Sequence, residues 1–172
     1  IPPFVSIDVE GGSVVRFRWS PQPVSARSLG RRRDVDYATQ QFTTIGSKLM
    51  ASGINMDLAP VLDVAQDPMN TFLETRIISE DASITAAIGS AVIEGLHAGG
   101  ILSSAKHFPG HGGTNEDSHA ITPTVDKTLE ELKSYDLVPF ASAITSGVDA
   151  IMVAHVLYPA LDATDIASMS KP

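Results

Sequence analysis

Ile101-Leu102-Ser103-Ser104-Ala105-Lys106-His107-Phe108-Pro109-Gly110-His111-Gly112-Gly113-Thr114-Asn115-Glu116-Asp117-Ser118-His119 runs from a short apolar segment into a glycine-rich polar one without interruption. Residues 101–105 read as a buried strand, because apolar side chains dominate over a strand's length. The fourteen residues that follow carry three His, one Lys and two acids. Pro109, Gly110, Gly112 and Gly113 suit an irregular loop whose backbone comes close to a ligand. A packing loop has no need of so many ionisable groups.

The same handover from strand to polar loop recurs along the chain. Residues 4–9, 56–64 and 150–156 are further apolar runs, followed by Asp8-Val9-Glu10-Gly11-Gly12, by 63–81 and by 155–162 respectively. Helical patterns separate the runs. Ala38, Phe42, Ile45 and Leu49 recur at helical spacing before Gly53, and Ile84, Ala87, Ile88, Ala91, Val92 and Leu96 do so before Gly99-Gly100. Thr128 with Glu131 makes a capping box, which predicts a helix from Leu129 towards Asp136. Pro139 then fits the first turn of a further helix ending near Gly147.

Strands alternating with helices indicate an α/β fold with a parallel sheet. An open doubly wound sheet gathers function at one switch point, whereas a (β/α)8 barrel spreads it over the C-terminal ends of several strands. The distribution here favours the barrel. A complete barrel takes about 250 residues, and this chain has 172 with four candidate strands. Half a barrel leaves sheet edges and apolar surface uncovered. Residues 1–172 are therefore expected to form one incomplete TIM-barrel domain, truncated at both ends, about four of the eight strands lying in this chain. The missing strands would come from the rest of the polypeptide or from another chain.

Twelve Lys plus Arg stand against twenty Asp plus Glu, a formal net charge of −8. That balance argues against a duplex nucleic-acid binder, which needs a basic face to displace counterions. The local exception, Arg27 with Arg31, Arg32 and Arg33, reads as a solvated surface. There is no Cys, so disulfide and thiol chemistry are excluded. No apolar run reaches the roughly 18–20 residues of a membrane span, and the N-terminus lacks the charged start of a signal peptide. The compartment stays open.

Within the loop, Asp117 and His119 are two residues apart. On a turn, the carboxylate can hold one ring nitrogen and leave the other for a substrate, the arrangement of a general acid/base working near neutral pH. A structural loop histidine has the same spacing. Zinc held by His107, His111, His119 and Asp117 is a further reading, opposed by the positive charge of Lys106 and by spacing that matches no metal motif.

The fourteen-residue stretch resembles the signature of bacterial β-N-acetylglucosaminidases of glycoside hydrolase family 3, the group that includes the cell-wall recycling enzyme. Ile7-Asp8-Val9-Glu10-Gly11-Gly12, Leu58-Ala59-Pro60-Val61-Leu62-Asp63-Val64, Asp136-Leu137-Val138-Pro139-Phe140 and Ala150-Ile151-Met152-Val153-Ala154-His155-Val156 carry the resemblance along almost the whole chain. It implies that Asp8, Arg76, Lys106 and His107 bind the sugar, and that His119 is the proton donor with Asp117 as its partner. It calls for no cofactor and no metal. Each residue also has a plain structural alternative: Asp8 as a turn cap, Arg76 paired with Glu80 or Asp81, and His155 and His97 as satisfied packing histidines. Val9, Ser13 and Ile77 depart from the family's usual Gln, Arg and Ser.

What the resemblance implies is a retaining glycosidase that removes terminal β-linked N-acetylglucosamine from peptidoglycan- or chitin-derived saccharides by double displacement. Such a reaction needs a carboxylate nucleophile opposite the acid/base. In the family it lies in a later segment, beyond Ala167-Ser168-Met169-Ser170-Lys171-Pro172, so the isolated chain is expected to be inactive. The rivals are a phosphorylase or a β-glucosidase of the same family, and a sugar-binding fragment without catalysis.

Overall fold

A computed structural model describes residues 3–17, 20, 22–64, 73, 75–114, 116 and 122–171. Four parallel strands, β1 (Ser6–Ile7), β4 (Met56–Asp57), β5 (Leu102–Phe108) and β6 (Ala150–Val153), form one sheet in the order β1-β4-β5-β6. A small antiparallel hairpin, β2 (Val9–Gly11) and β3 (Val14–Val15), follows β1 directly. Each strand of the main sheet pairs with the next in sequence, Ile7 opposite Asp57, Asp57 opposite Ser103 and Ser104 opposite Ala150. Among the described residues the order never reverses and no switch point occurs. That is the winding of a barrel.

Helices make the crossovers: α1 (Ala26–Arg32) and α2 (Val35–Ala51) before β4, α3 (Ala82–Ala98) before β5, and α4 (Leu129–Glu131) and α5 (Leu137–Thr145) before β6. Helix α2 buries Ala38, Phe42, Ile45 and Leu49, the face that its periodicity predicts. Helix α3 buries Ile88, Ala91, Val92 and Leu96 as expected, while Ala87 faces outward and Thr85 is buried instead. Asp34 and Asp81 cap α2 and α3 by accepting backbone N–H groups of the first turn. The two helices pack on each other closely at Gly95, where a Cβ would stand 2.6 Å from the Thr39 carbonyl oxygen. Their apolar faces join Val9, Leu29 and Ile101 in the main core. A second core of Leu62, Ile93, Ala105, Phe140 and Ala143 lies under α5.

The capping box at Thr128 and Glu131 forms as read from sequence. The two helices expected on either side of residue 136 are instead one continuous helical run, joined by a π turn at Leu132–Asp136. Pro139 lies in the first turn of α5, as expected, but α5 is not a separate helix. Proline cannot bond back one turn and crowds the carbonyl there, and the wide turn takes up that conflict without breaking the run. Strand lengths also differ from expectation. The regular strand stops at Asp57, ahead of Pro60, which lacks an N–H, although Ala59 and Pro60 still accept from Ser104 and Lys106, and Leu62 donates to the Lys106 carbonyl. Conversely, β5 extends through Phe108 because β6 continues the ladder alongside it. Lys106 and His107 thus sit on the strand's end and not in the loop.

Candidate functional site

A cavity of about 390 Å3 opens at the C-terminal ends of the parallel strands, lined by Asp8, Glu10, Arg16, Arg76, Lys106, His107, His111 and His155 among others. Asp8 immediately follows β1, Lys106 and His107 end β5, and His155 follows β6. This is the face on which a barrel builds its site. Asp8, Arg76, Lys106 and His107 come together around it from positions far apart in sequence.

Lys106 is the hub. Its ammonium donates to Asp8 Oδ1 at 2.6 Å and forms an ion pair with Glu10, whose Oε1 lies 2.7 Å away, and its side chain is only 3% exposed. An ammonium has three N–H donors and only the one to Asp8 is committed to a hydrogen bond, so donor capacity remains for a ligand oxygen. Glu10 in turn takes a two-pronged grip from Arg76, whose Nε donates to Oε2 at 2.7 Å and Nη2 to Oε1 at 2.8 Å. Burial works against the Arg76 charge, but the Glu10 hydrogen bonds and attraction outweigh it and hold the guanidinium above its ordinary range. Arg76 therefore pairs with Glu10, while Glu80 pairs with Arg27. Glu10 is the partner that sequence reasoning missed. Its spacing of two from Asp8 was a signal, since alternate residues of an extended chain share a face.

A second pair stands beside the hub. His107 Nδ1 bonds Asp63 Oδ2 at 2.6 Å, and Asp63 Oδ1 accepts the backbone N–H groups of His107 at 3.2 Å and His111 at 2.7 Å. Asp63 is fully buried, which alone would raise its pKa. The His107 charge and hydrogen bond, with the His111 amide, pull it below the usual carboxylate range. With Nδ1 committed to Asp63, Nε2 is the ring atom that His107 can present to a ligand.

His155 is exposed on the cavity rather than packed in a core, and Ser168 Oγ lies 2.6 Å from its Nδ1. His97 is satisfied but also lies at the surface, 2.7 Å from Asp149 Oδ2. Asp117 and His119 lie outside the described residues. The base of their loop does not. Gly110 accepts a hydrogen bond from the Tyr158 hydroxyl at 2.9 Å, and Gly112 lies so close to Val64 that a Cβ would stand 1.9 Å from its carbonyl oxygen. The far end of the loop is tied by hydrogen bonds between Leu157 and both Pro123 and Val125. Lys127 donates to both oxygens of buried Asp136 behind Gly110. Among the described residues no group of three or more His, Asp or Glu is spaced to hold a metal ion. No helix among them is long and apolar enough to cross a membrane.

Comparison with known proteins gives one answer by three routes. The family described as glycosyl hydrolase family 3 N terminal domain matches residues 1–172. A beta-hexosaminidase of Stenotrophomonas maltophilia (strain R551-3) is 39% identical over 166 residues, 92% of this chain and 49% of the relative. Beta-hexosaminidase A of Pseudoalteromonas piscicida is 38% identical over 98% of this chain and 29% of its own length. Among solved structures, the glycoside hydrolase family 3 beta-N-acetylglucosaminidase of Paenibacillus sp. str. FPU-7 superposes with a TM-score of 0.93 at 40% identity, covering 98% of this chain and 32% of that one. NagZ of Neisseria gonorrhoeae, solved with N-trifluoroacetyl-D-glucosamine, superposes with a TM-score of 0.91 at 34% identity, covering 97% and 51%. The chain thus spans about half the length of these relatives or less.

Proposed function

Since this chain belongs to glycosyl hydrolase family 3, we propose that it builds the sugar-binding half of a β-N-acetylhexosaminidase, which releases terminal β-linked N-acetylglucosamine from saccharides of peptidoglycan or chitin origin. The observation that carries this is Lys106, a buried cation between Asp8 and Glu10 at the floor of a cavity at the strands' C-terminal ends. An acceptor and a donor 2.6 Å apart are matched to a sugar's vicinal hydroxyls, one donating to Asp8 and its neighbour accepting from Lys106. Arg76 neutralises Glu10, so the ammonium is shared rather than consumed. His107, oriented by Asp63, adds a further polar contact.

The reaction is a double displacement. His119, supported by Asp117, donates its proton to the departing glycosidic oxygen as an aspartate outside these residues attacks the anomeric carbon. A water then gives a proton to His119 and its oxygen to that carbon as the bond to the aspartate breaks, which frees the carboxylate and releases the sugar with retained configuration.

A second reading has one observation in its favour. The His107 and Asp63 pair, 2.6 Å apart within the cavity, is itself a histidine aligned by an acid. Leaving-group dependence separates the two. Loss of the proton donor slows cleavage of poor leaving groups far more than of p-nitrophenol, whereas loss of a sugar contact raises KM for both alike. His119→Ala is expected to give the first pattern and His107→Ala the second. The reverse result assigns the proton transfer to His107. The same assay in phosphate buffer yields free sugar for hydrolysis and sugar 1-phosphate for phosphorolysis.

A further inference from the structure

Asp57, the last residue of β4, is fully buried and lies against the Asp8, Glu10 and Lys106 cluster without lining the cavity. Its Oδ1 accepts the backbone N–H of Val9 at 2.9 Å, and its Oδ2 has no hydrogen-bond partner among the described residues. Val9 is the residue between Asp8 and Glu10. That hydrogen bond helps fix the backbone from which both acids beside Lys106 project, together with the Arg16 N–H on the Asp8 carbonyl and the β2–β3 pairing. The charges around it are already balanced, two acids in Asp8 and Glu10 against two cations in Lys106 and Arg76. An ionised Asp57 would be a fifth charge, buried and uncompensated.

We propose that Asp57 is a positioning residue for the sugar site: as a neutral acid it holds the Val9 amide, and through it sets Asp8 and Glu10 about the Lys106 ammonium. The inference rests on the reading of this cavity as a sugar site. Burial pushes the Asp57 carboxyl up to about 8, opposed by the Val9 N–H and by Lys106, and reinforced by Asp8 and Glu10. These are the charged groups that face it, Lys106 from β5 and the two acids from the segment after β1, with Arg76 behind Glu10. When Asp57 ionises, a third carboxylate competes for the ammonium. Lys106 is then drawn from the sugar, and binding weakens on the alkaline side while the chemical step is spared.

The test uses the protein with all of its natural flanking sequence and p-nitrophenyl N-acetyl-β-glucosaminide as the probe. For the wild type, 1/KM is expected to fall above about pH 8 with kcat little changed. Asp57→Leu, which removes the acceptor at similar size, is expected to raise KM by about tenfold or more at pH 7. Asp57→Asn keeps an oxygen for Val9 and is expected to bring KM back to within about threefold and to flatten the alkaline fall. Persistence of that fall in Asp57→Asn overturns the proposal, as does wild-type KM in a folded Asp57→Leu. If the Leu variant fails to fold, the Asn profile decides alone.

Thermal unfolding reads the neutral acid without any sugar. Below the ordinary carboxylate pKa both folded and unfolded states are protonated. Between that value and about 8 only the unfolded chain ionises, so wild-type stability falls with rising pH in this window. The midpoint of Asp57→Asn should match wild type near pH 4 and exceed it increasingly towards pH 8. A gap that is constant with pH overturns the proposal. A wild type that cleaves no N-acetylglucosaminide sinks the sugar reading instead, and the unfolding series still decides whether Asp57 is neutral.

Discussion

Strand β5 carries a histidine–aspartate pair near each of its ends, and the two pairs have opposite fates. At its start, Ser103 N–H and Oγ and His97 Nε2 all converge on one oxygen, Asp149 Oδ2, at 2.9, 3.1 and 2.7 Å. Ser, His and Asp are all present, as in a hydrolase triad, yet the serine and the acid address the same ring nitrogen. A triad needs them on opposite nitrogens, so this cluster has no route for a proton. At the other end, Asp63 takes only Nδ1 of His107, the ring borders a cavity, and Lys106, Asp8 and Arg76 stand beside it. Both ends hold a histidine bonded to an aspartate. What separates them is that His107 borders a cavity shared with Lys106, Asp8 and Arg76, whereas His97 lies at the surface away from it.

The largest effect is expected from breaking the hub. Lys106→Met leaves Asp8 and Glu10 without their shared cation, and Glu10 is only 2% exposed. Removing one partner of a buried ion pair costs about 3–5 kcal/mol, which chemical denaturation would read as a lowered midpoint. The neighbouring Arg76 keeps part of the Glu10 charge compensated, so adding Glu10→Gln to Lys106→Met should restore part of the loss. Sugar binding should vanish in calorimetry. A Lys106→Met protein that is as stable as wild type and still binds N-acetylglucosamine would end the case for the hub.

A smaller and more discriminating effect comes from treating the two aspartates alike. Asp63→Asn is expected to lower kcat/KM by about 10–100-fold, the scale found when a histidine loses the partner that orients it. Asp149→Asn should leave kcat/KM unchanged and cost about 1–3 kcal/mol, because it weakens hydrogen bonds to a charged acceptor. Both carboxyls are held below the ordinary range, Asp63 by His107 against its burial and Asp149 by the Ser103 amide and His97 against its own. Each therefore contributes stability that is complete above the unfolded carboxylate pKa and is lost as pH falls through its lowered folded value. Acid unfolding followed in both variants should show a flatter pH dependence than wild type. Equal loss of activity in the two variants would erase the distinction between the ends.

Local pattern carried much of the fold and less of the site. The faces of α2 and α3 and the Thr128 capping box were legible because their partners lie three or four residues away. Helix α1 was not, since its seven residues hold Gly30 and three arginines and make no apolar stripe. In the site, Asp8, Arg76, Lys106 and His107 were named by resemblance, but the acids that hold them, Glu10, Asp63 and Asp57, were not. Each is a single carboxylate whose partners are remote in sequence: Arg76 is 66 residues from Glu10, His107 is 44 from Asp63 and Val9 is 48 from Asp57. Only the sheet order brings them together. The end of β5 was misplaced for a related reason, because its polar residues resemble loop until Met152 and Val153 are seen pairing beside them.

The smallest predicted effect is also the sharpest check on the two ends of β5. Ser103 is wholly buried, and a nucleophilic serine in a Ser-His-Asp group would lose nearly all activity on replacement by alanine. Here Asp149 Oδ2 keeps two other donors, the Ser103 backbone N–H and His97, after the hydroxyl is gone. Ser103→Ala should therefore cost only about 0.5–1.5 kcal/mol, one hydrogen bond, and leave kcat and KM alone. Thermal unfolding and steady-state kinetics on the same preparation read both numbers. If cleavage disappeared while the fold held, chemistry would have to be placed at the N-terminal end of the sheet, against everything that the free ring nitrogen of His107 and the shared ammonium of Lys106 indicate.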